Sequence, residues 1–185
     1  YYFRDIPHLL RKNRVGLAVL DGNESEAELR GFVNDVLLYF GLGCRNTSQV
    51  FLPENYEVTD LQQYFAEWEH LRDHQMYKNN YEYNYAIYLM NEEAFYALGP
   101  SVLLESDSPH SRIACLHYSR YEDKEDLIQS LKNRLGPDGD IQCISMRDPR
   151  DQTILPLGTA QKPRLIDYAD GVDTMRFLTE LRNEN

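Results

Sequence analysis

Residues 15–22, Val15-Gly16-Leu17-Ala18-Val19-Leu20-Asp21-Gly22, decide the fold class of this chain. The apolar run at 15–20 is short and closes on the turn residues Asp21-Gly22-Asn23, a pattern typical of a buried strand. An amphipathic helix is predicted directly after it, because Ser25 and Glu28 form a capping-box pattern. The apolar residues that follow at helical spacing are Leu29, Phe32, Val33, Val36, Leu37 and Phe40.

The rest of the chain continues this alternation of strands and helices. Further strands are predicted at 48–52, 102–104, 113–117 and 141–145. Further helices are predicted from 59 to about 73 and at 86–98, 124–135 and 172–181, whereas 136–139 and most of 149–163 are predicted as loops. The aromatic and polar stretch 77–84 receives no assignment. Strands alternating with helices predict an α/β fold, with layers packed around one sheet in a single domain.

Composition and charge limit the class of protein. The 185 residues include 42% hydrophobic residues, enough for a core, and a net charge of −11 argues against binding nucleic acid. A nucleotide cofactor or coenzyme A needs only a local cationic pocket and stays compatible with this charge. No apolar run approaches the roughly 18 residues of a membrane span, which predicts a soluble protein. Three cysteines without paired spacing predict a reducing, cytoplasmic location.

Cys44 is the candidate reactive residue. It follows Gly41-Leu42-Gly43, where glycines allow a tight turn, and it precedes Arg45, a cation of the kind that lowers the pKa of a thiol. A nucleophile and a small apolar filler are both compatible with this context. Cys115 and Cys143 lie among apolar strand residues and are predicted to be buried fillers.

Several segments resemble a known family. The strand at 15–22, its helix and the Gly41-Leu42-Gly43-Cys44 turn resemble the catalytic domain of the aldehyde dehydrogenase superfamily. Segments 41–46, 81–89 and 167–175 are more closely similar to the bacterial LuxC-type fatty acyl-CoA reductases. The resemblance implies a three-layer, aldehyde-dehydrogenase-like catalytic domain over residues 1–185 with one mostly parallel sheet. It also implies an upstream cofactor-binding domain, and the absence of an initiator Met before Tyr1 suggests a piece of a longer protein.

The same resemblance implies a reaction. Cys44 would attack the thioester of a long-chain acyl-CoA, and NADPH or NADH would reduce the acyl-enzyme to the aldehyde. The Cys44 backbone N–H is one expected donor to the oxyanion. The residues implied to form the loops of this site are Gly43, Arg45, Asn46 and Gly158.

Two departures from the family pattern matter. Aldehyde-oxidising relatives carry a glutamate base well ahead of the nucleophile, but this chain has no Glu before Glu24. Oxidation needs a general base to activate water and thioester reduction does not, so the absence favours the reductase direction. The segment that contacts the nicotinamide ribose has no clear copy here, and Glu105 is the residue assigned to cofactor binding by its approximate place.

Other interpretations remain open. A cofactor-free thioester hydrolase or acyltransferase would use Cys44 with His117 as its base, and a non-catalytic interaction domain would bury Cys44. Glu67, His70 and His74 share a predicted helix face, but without a marked further ligand they indicate surface polar residues, so no metal is predicted. An assembly of identical copies is left open.

Overall fold

The computed structural model describes residues 5–11, 13–136 and 139–183 and builds them around one seven-stranded sheet. The strands are β1 (Val15–Val19), β2 (Thr47–Pro53), β3 (Phe95–Leu98), β4 (Ser101–Glu105), β5 (Cys115–Tyr121), β6 (Ile141–Met146) and β7 (Leu155–Pro156). Their order is β3-β4-β5-β2-β1-β6-β7, and every pair is parallel except β3 with β4. The predicted α/β class with one mostly parallel sheet is confirmed.

Helices cover both faces of this sheet. They are α1 (Glu26–Leu37), α2 (Gln62–Ala66), α3 (Gln75–Met90), α4 (Lys124–Lys132) and α5 (Thr174–Asn183). One core contains Phe32 and Val36 of α1 with Phe65 of α2, and the other contains Leu131 of α4 against Leu17 and Ile144 of the strands. None of the helices in the described ranges is long and apolar enough to cross a membrane.

The predicted capping box starts α1. The Glu28 carboxylate accepts from the Ser25 amide at 2.8 Å, and the Glu28 amide donates to the Ser25 hydroxyl at 3.4 Å. After Leu37 the chain turns sharply, because Tyr39 and Phe40 have left-handed φ values of 56° and 61°. Such values are costly for aromatic residues and are kept only where the surrounding structure enforces them.

The chain between 58 and 98 differs from the prediction. The helix expected from 59 to 73 is divided into two 3₁₀ turns, Val58–Leu61 and Glu69–Asp73, with the short α2 between them. Residues 77–84, which receive no assignment from the sequence, belong to α3, which spans 75–90. The helix expected at 86–98 is correct as far as residue 90 and wrong beyond it, since 95–98 form β3. The buried face of α3 is formed by three tyrosines, Tyr77, Tyr81 and Tyr88.

Smaller differences have local causes. The strand expected at 113–117 begins only at Cys115, because Ala114 has a left-handed φ of 60°, and it continues to Tyr121. The helix α4 ends at Lys132, three residues before its expected end at Leu135. Of the loop predicted at 136–139, Pro137 and Asp138 lie outside the described residues.

Candidate functional site

Cys44 lies at the amino edge of the sheet, on the turn that leads into β2. The Asn46 amide donates to the Gly43 carbonyl at 2.9 Å, so Cys44 and Arg45 occupy the two central positions of the turn. Cys44 is exposed. Its position and exposure give a ligand access to the thiol.

The Asn46 side chain fixes this turn to the end of α1. Its amide nitrogen donates to the carbonyls of Asp35 (2.9 Å), Val36 (3.1 Å) and Leu38 (2.8 Å). Its side-chain oxygen accepts from the Gly43 amide at 2.8 Å. A single buried carboxamide therefore satisfies carbonyls at the helix end, which otherwise lack partners, and sets the backbone beside Cys44.

Gly16 of β1 lets the turn rest directly on the sheet. Its amide donates to the Asn46 carbonyl at 2.9 Å, and a Cβ on Gly16 would lie 2.7 Å from the Arg45 carbonyl oxygen. The pairing of β1 with each neighbour also shifts register at Gly16, as a β-bulge does. Any larger residue at this position would displace the Cys44 turn.

A second segment, residues 157–161, closes against the same turn. The Arg45 side chain donates to the Ala160 carbonyl at 2.5 Å. Asp35 of α1, which is fully buried, accepts from the amides of Gly158 (2.7 Å) and Ala160 (3.2 Å). Gly158 has a φ of +81°, and a Cβ on it would lie 2.8 Å from the Gly31 Cα atom.

Burial raises the pKa of the Asp35 carboxyl to about 6, although the amides of Gly158 and Ala160 oppose the shift.

A cavity of about 310 Å³ has Cys44 in its wall, together with residues at the amino ends of β1, β2 and β5. The end of α1 supplies apolar wall residues such as Val36 and Leu37, and Arg14 and Arg112 supply positive charge. Thr47 also lines the cavity, and its hydroxyl is buried with no hydrogen-bond partner among the described residues. The cavity wall thus contains the exposed Cys44 thiol, the buried Cys115 thiol, two guanidinium groups and a hydroxyl without a partner among the described residues.

The other two cysteines are buried, as predicted. The Tyr88 hydroxyl donates to the Cys115 sulfur at 3.8 Å, and the Cys143 thiol donates to the Arg45 carbonyl at 3.8 Å. Burial raises the pKa of the Cys115 thiol to about 11 and that of the Cys143 thiol to about 12. Both are therefore thiols rather than thiolates at neutral pH, and neither is a good nucleophile.

Gly43 and Asn46 line the Cys44 cavity, but Arg45 and Gly158 do not: Arg45 turns to the Ala160 carbonyl, and Gly158 packs on Gly31 of α1. Glu105 also lies elsewhere. Glu105 is exposed at the carboxyl end of β4, where its carboxylate accepts from the Tyr118 hydroxyl at 3.2 Å. Strand pairing puts Glu105 level with Val50, about 10 Å along the strands from Thr47 and two strand spacings to the side. Its assignment to cofactor binding stays a prediction.

His117 is also outside the cavity wall. Its ring is buried, and the Nδ1–H donates to the Ser108 carbonyl at 2.8 Å. Burial lowers the pKa of His117, which favours the neutral ring. No contact joins this histidine to Cys44 in the described structure.

The three side chains considered as metal ligands have separate partners. Glu67 pairs with Arg30 at 2.9 Å, His70 stacks on Trp68, and His74 caps the start of α3 by accepting from the Tyr77 amide at 3.4 Å. Over the described ranges, no group of three or more His, Cys, Asp or Glu side chains is arranged to hold a metal ion.

The turn between β1 and α1 is where many α/β sheets bind the phosphates of a dinucleotide, through free amides and the helix N-terminus. Here Glu24 accepts from the amides of Asp21 (2.5 Å) and Gly22 (3.1 Å), and Glu28 occupies the cap. These backbone amides already donate to carboxylates of the chain, and Glu24 and Glu28 give the turn a negative charge. This turn does not fit a pyrophosphate.

Sequence reasoning missed Asp35, Thr47 and the two arginines. Asp35 carried a usable signal, because it interrupts the apolar face of α1 between Val33 and Val36, and a carboxylate there needs buried donors. Thr47 and Arg14 carried no signal in the sequence, because their places in the cavity wall depend on the pairing of strands that are distant in the sequence.

Comparisons with known proteins give a distant structural similarity. No family model matches the chain, and no curated protein matches it significantly. A solved oxidoreductase from Marinobacter aquaeolei matches 76% of this chain and 35% of its own, at 9% identity and a TM-score of 0.45. A protein from Burkholderia cenocepacia named as an aldehyde dehydrogenase matches 75% of this chain and 35% of its own, at 13% identity and a TM-score of 0.45. The chain thus spans about a third of the length of both, and similarity at this level assigns neither family nor reaction.

Proposed function

We propose that Cys44 is the nucleophile of an acyl-transfer reaction on a thioester such as an acyl-CoA. The observation that carries this proposal is that Cys44 alone of the three cysteines is exposed, on a turn fixed by Asn46 beside a cavity. The Cys44 thiolate attacks the thioester carbonyl carbon and forms a new C–S bond. The tetrahedral intermediate then breaks its bond to the sulfur of coenzyme A, which leaves as a thiolate and takes a proton from water.

The turn offers a donor for the oxyanion of this intermediate. The amides of Gly43 and Asn46 are engaged within the turn, at 2.8 Å and 2.9 Å from their acceptors. The Cys44 amide has no acceptor among the described residues and is free to bond to the oxyanion. Preorganised backbone donors are the usual means of stabilising such a charge.

Reduction of the acyl-enzyme to an aldehyde, the full fatty acyl-CoA reductase reaction, is the second part of the proposal. NADPH or NADH would supply the hydride. Because the β1–α1 turn does not fit a dinucleotide, the cofactor would have to be held by residues other than those of this turn, such as an upstream domain of the same chain. The fatty chain length and the choice of nicotinamide stay predictions.

A cofactor-free thioester hydrolase or acyltransferase is the second candidate. The engaged amides and acidic side chains of the β1–α1 turn favour it, because they leave no nucleotide site where α/β sheets usually have one. It would have to use a base other than His117, which lies outside the cavity wall.

One experiment separates these functions. The 185-residue chain is incubated with a long-chain acyl-CoA without nicotinamide, and release of coenzyme A and the intact mass are followed. We expect one acyl group on Cys44 and a single equivalent of coenzyme A. Cys44→Ser should be silent, and Cys143→Ser should be unchanged as the matched control, because Cys143 is buried and does not line the cavity. Continued release would favour the hydrolase, and absence of acylation would contradict both candidates.

A further inference from the structure

The charge of the Cys44 cavity is opposite to that of the whole chain. The protein carries a net charge of −11, yet Arg14 and Arg112 line the cavity and no Asp or Glu does so within the described parts of the chain. A low-dielectric recess lined by one sign of charge concentrates ligands of the other sign.

Arg112 is the cation at the exposed side of the cavity. Its guanidinium contacts the Asn84 side-chain oxygen at 3.4 Å and lies 6.0 Å from the centre of the Tyr88 ring. Both partners are uncharged, and no carboxylate lies within ion-pair distance of Arg112 in the described structure. Its positive charge is therefore not neutralised by any carboxylate of the described ranges.

Arg14 is the buried cation of the cavity wall. It pairs with Asp170 at 3.7 Å, and the same carboxylate accepts a shorter contact from Arg11 at 2.8 Å. Arg14 therefore shares this carboxylate with a second guanidinium group. A buried guanidinium is less screened by water than an exposed one.

Thr47 supplies a neutral group at the same cavity. Only 3% of Thr47 is exposed, and its buried hydroxyl lacks a partner among the described residues. A buried hydroxyl in a cavity wall without a protein partner leaves a hydrogen bond for a water or a ligand in the cavity to complete.

We propose that this cavity selects anionic electrophiles: Arg112 and Arg14 hold a carboxylate or phosphate close to the carbon that Cys44 attacks, and the Thr47 hydroxyl bonds to the same ligand. The inference rests on Cys44 being the nucleophile of the proposed function. It goes beyond that function by naming the charge of the substrate, and it favours an acyl donor with an anionic group near the thioester.

The test uses two alkylating agents of nearly equal size, iodoacetate and iodoacetamide. In both reactions the Cys44 sulfur forms a bond to carbon and iodide leaves, so only the charge of the reagent differs. Rates at Cys44 are measured by peptide mass spectrometry in the folded chain and in the urea-unfolded chain. We expect the iodoacetate-to-iodoacetamide ratio to be about threefold to tenfold higher in the folded chain, as one nearby unscreened charge allows.

Variants test whether the cavity arginines cause this preference. Arg112→Gln is expected to lower the ratio of the iodoacetate rate to the iodoacetamide rate several-fold, and in this ratio any change in the thiolate fraction of Cys44 cancels. Arg72→Gln is the matched control, because Arg72 also lies over a tyrosine ring, at 4.9 Å from that of Tyr81, but does not line the cavity. An equal ratio in the folded and unfolded chains, or no effect of Arg112→Gln, would overturn the inference.

Thioesters then identify the source of the anion. Succinyl and butyryl thioesters of N-acetylcysteamine share the same uncharged thiol carrier, but only the succinyl group carries a carboxylate. Butyryl-CoA has the uncharged acyl group on a carrier with phosphates. Faster acylation by the succinyl compound places the anion on the acyl group, and faster acylation by butyryl-CoA alone places it on the carrier. Because alkylation needs only a reactive thiol, a charge preference without acylation would contradict the proposed function and show only that the cavity attracts anions.

Discussion

The side-chain oxygen of Asn46 accepts a hydrogen bond from the Gly43 amide at 2.8 Å and thereby fixes the backbone that carries Cys44. The nitrogen of the same carboxamide donates to the Leu38 carbonyl at 2.8 Å, beyond the end of α1. The helix end and the Cys44 turn are held by one side chain. A change at Asn46 should therefore affect stability and thiol position together.

Replacing Asn46 by alanine tests this coupling. Asn46→Ala leaves buried carbonyls and the Gly43 amide without partners, and we expect a loss of about 2–4 kcal/mol in the free energy of unfolding. Urea denaturation measures the loss. The control is Asn80→Ala, because Asn80 also donates to a helical carbonyl, that of Met76 at 2.8 Å, but from an exposed position. Equal effects of the two changes would contradict a special role for Asn46.

Gly16 should tolerate no side chain. In Gly16→Ala the new methyl would lie 2.7 Å from the Arg45 carbonyl and 2.8 Å from the Asn46 carbonyl, both of which are backbone atoms. We expect a loss of about 1–3 kcal/mol in stability, typical of overpacking, and an altered alkylation rate at Cys44. Urea denaturation and iodoacetamide kinetics measure the two effects. An unchanged midpoint and an unchanged rate would show that the turn does not depend on Gly16.

The sequence predicts what is local and misses what depends on distant pairing. The capping box of α1 and the strand β1 follow from neighbouring residues, and both were predicted correctly. The first part of helix α3, residues 75–85, was missed because its buried face is built from Tyr77 and Tyr81, whose hydroxyls lower their apparent hydrophobicity.

The candidate site shows the same limit. The Gly43–Asn46 turn could be read from its glycine and asparagine, since such residues mark turns. The bond from Gly158 to Asp35 spans 123 residues, and only the sheet topology brings the two together. The sheet topology also brings Arg14 and Arg112 to one cavity, and their spacing in the sequence does not indicate that they lie together.

Thiol accessibility should distinguish the three cysteines. Cys44 is exposed, whereas Cys115 and Cys143 are buried with raised pKa values. We expect an aromatic disulfide reagent to modify Cys44 alone in the folded chain and all three thiols in urea. Cys44→Ser should abolish the reaction of the folded chain, and Cys115→Ser should leave it unchanged. Fast reaction of Cys115 or Cys143 in the folded chain would mean that this edge of the sheet opens.

Asp35 should make stability depend on pH in an unusual direction. Burial raises the pKa of its carboxyl from the usual 3.8 to about 6 in the folded chain, so the folded state binds a proton that the unfolded state releases. This contribution to stability is fully present below the unfolded pKa and is lost as pH rises through the folded pKa. We therefore expect the wild type to gain about 2–3 kcal/mol relative to Asp35→Asn as pH falls from about 7 to about 4. Urea denaturation of both proteins across this pH range measures the difference between their free energies of unfolding. The contributions of the other carboxyls are the same in both proteins and cancel in this difference. A difference that does not change with pH would mean that Asp35 does not titrate between about pH 4 and about pH 7.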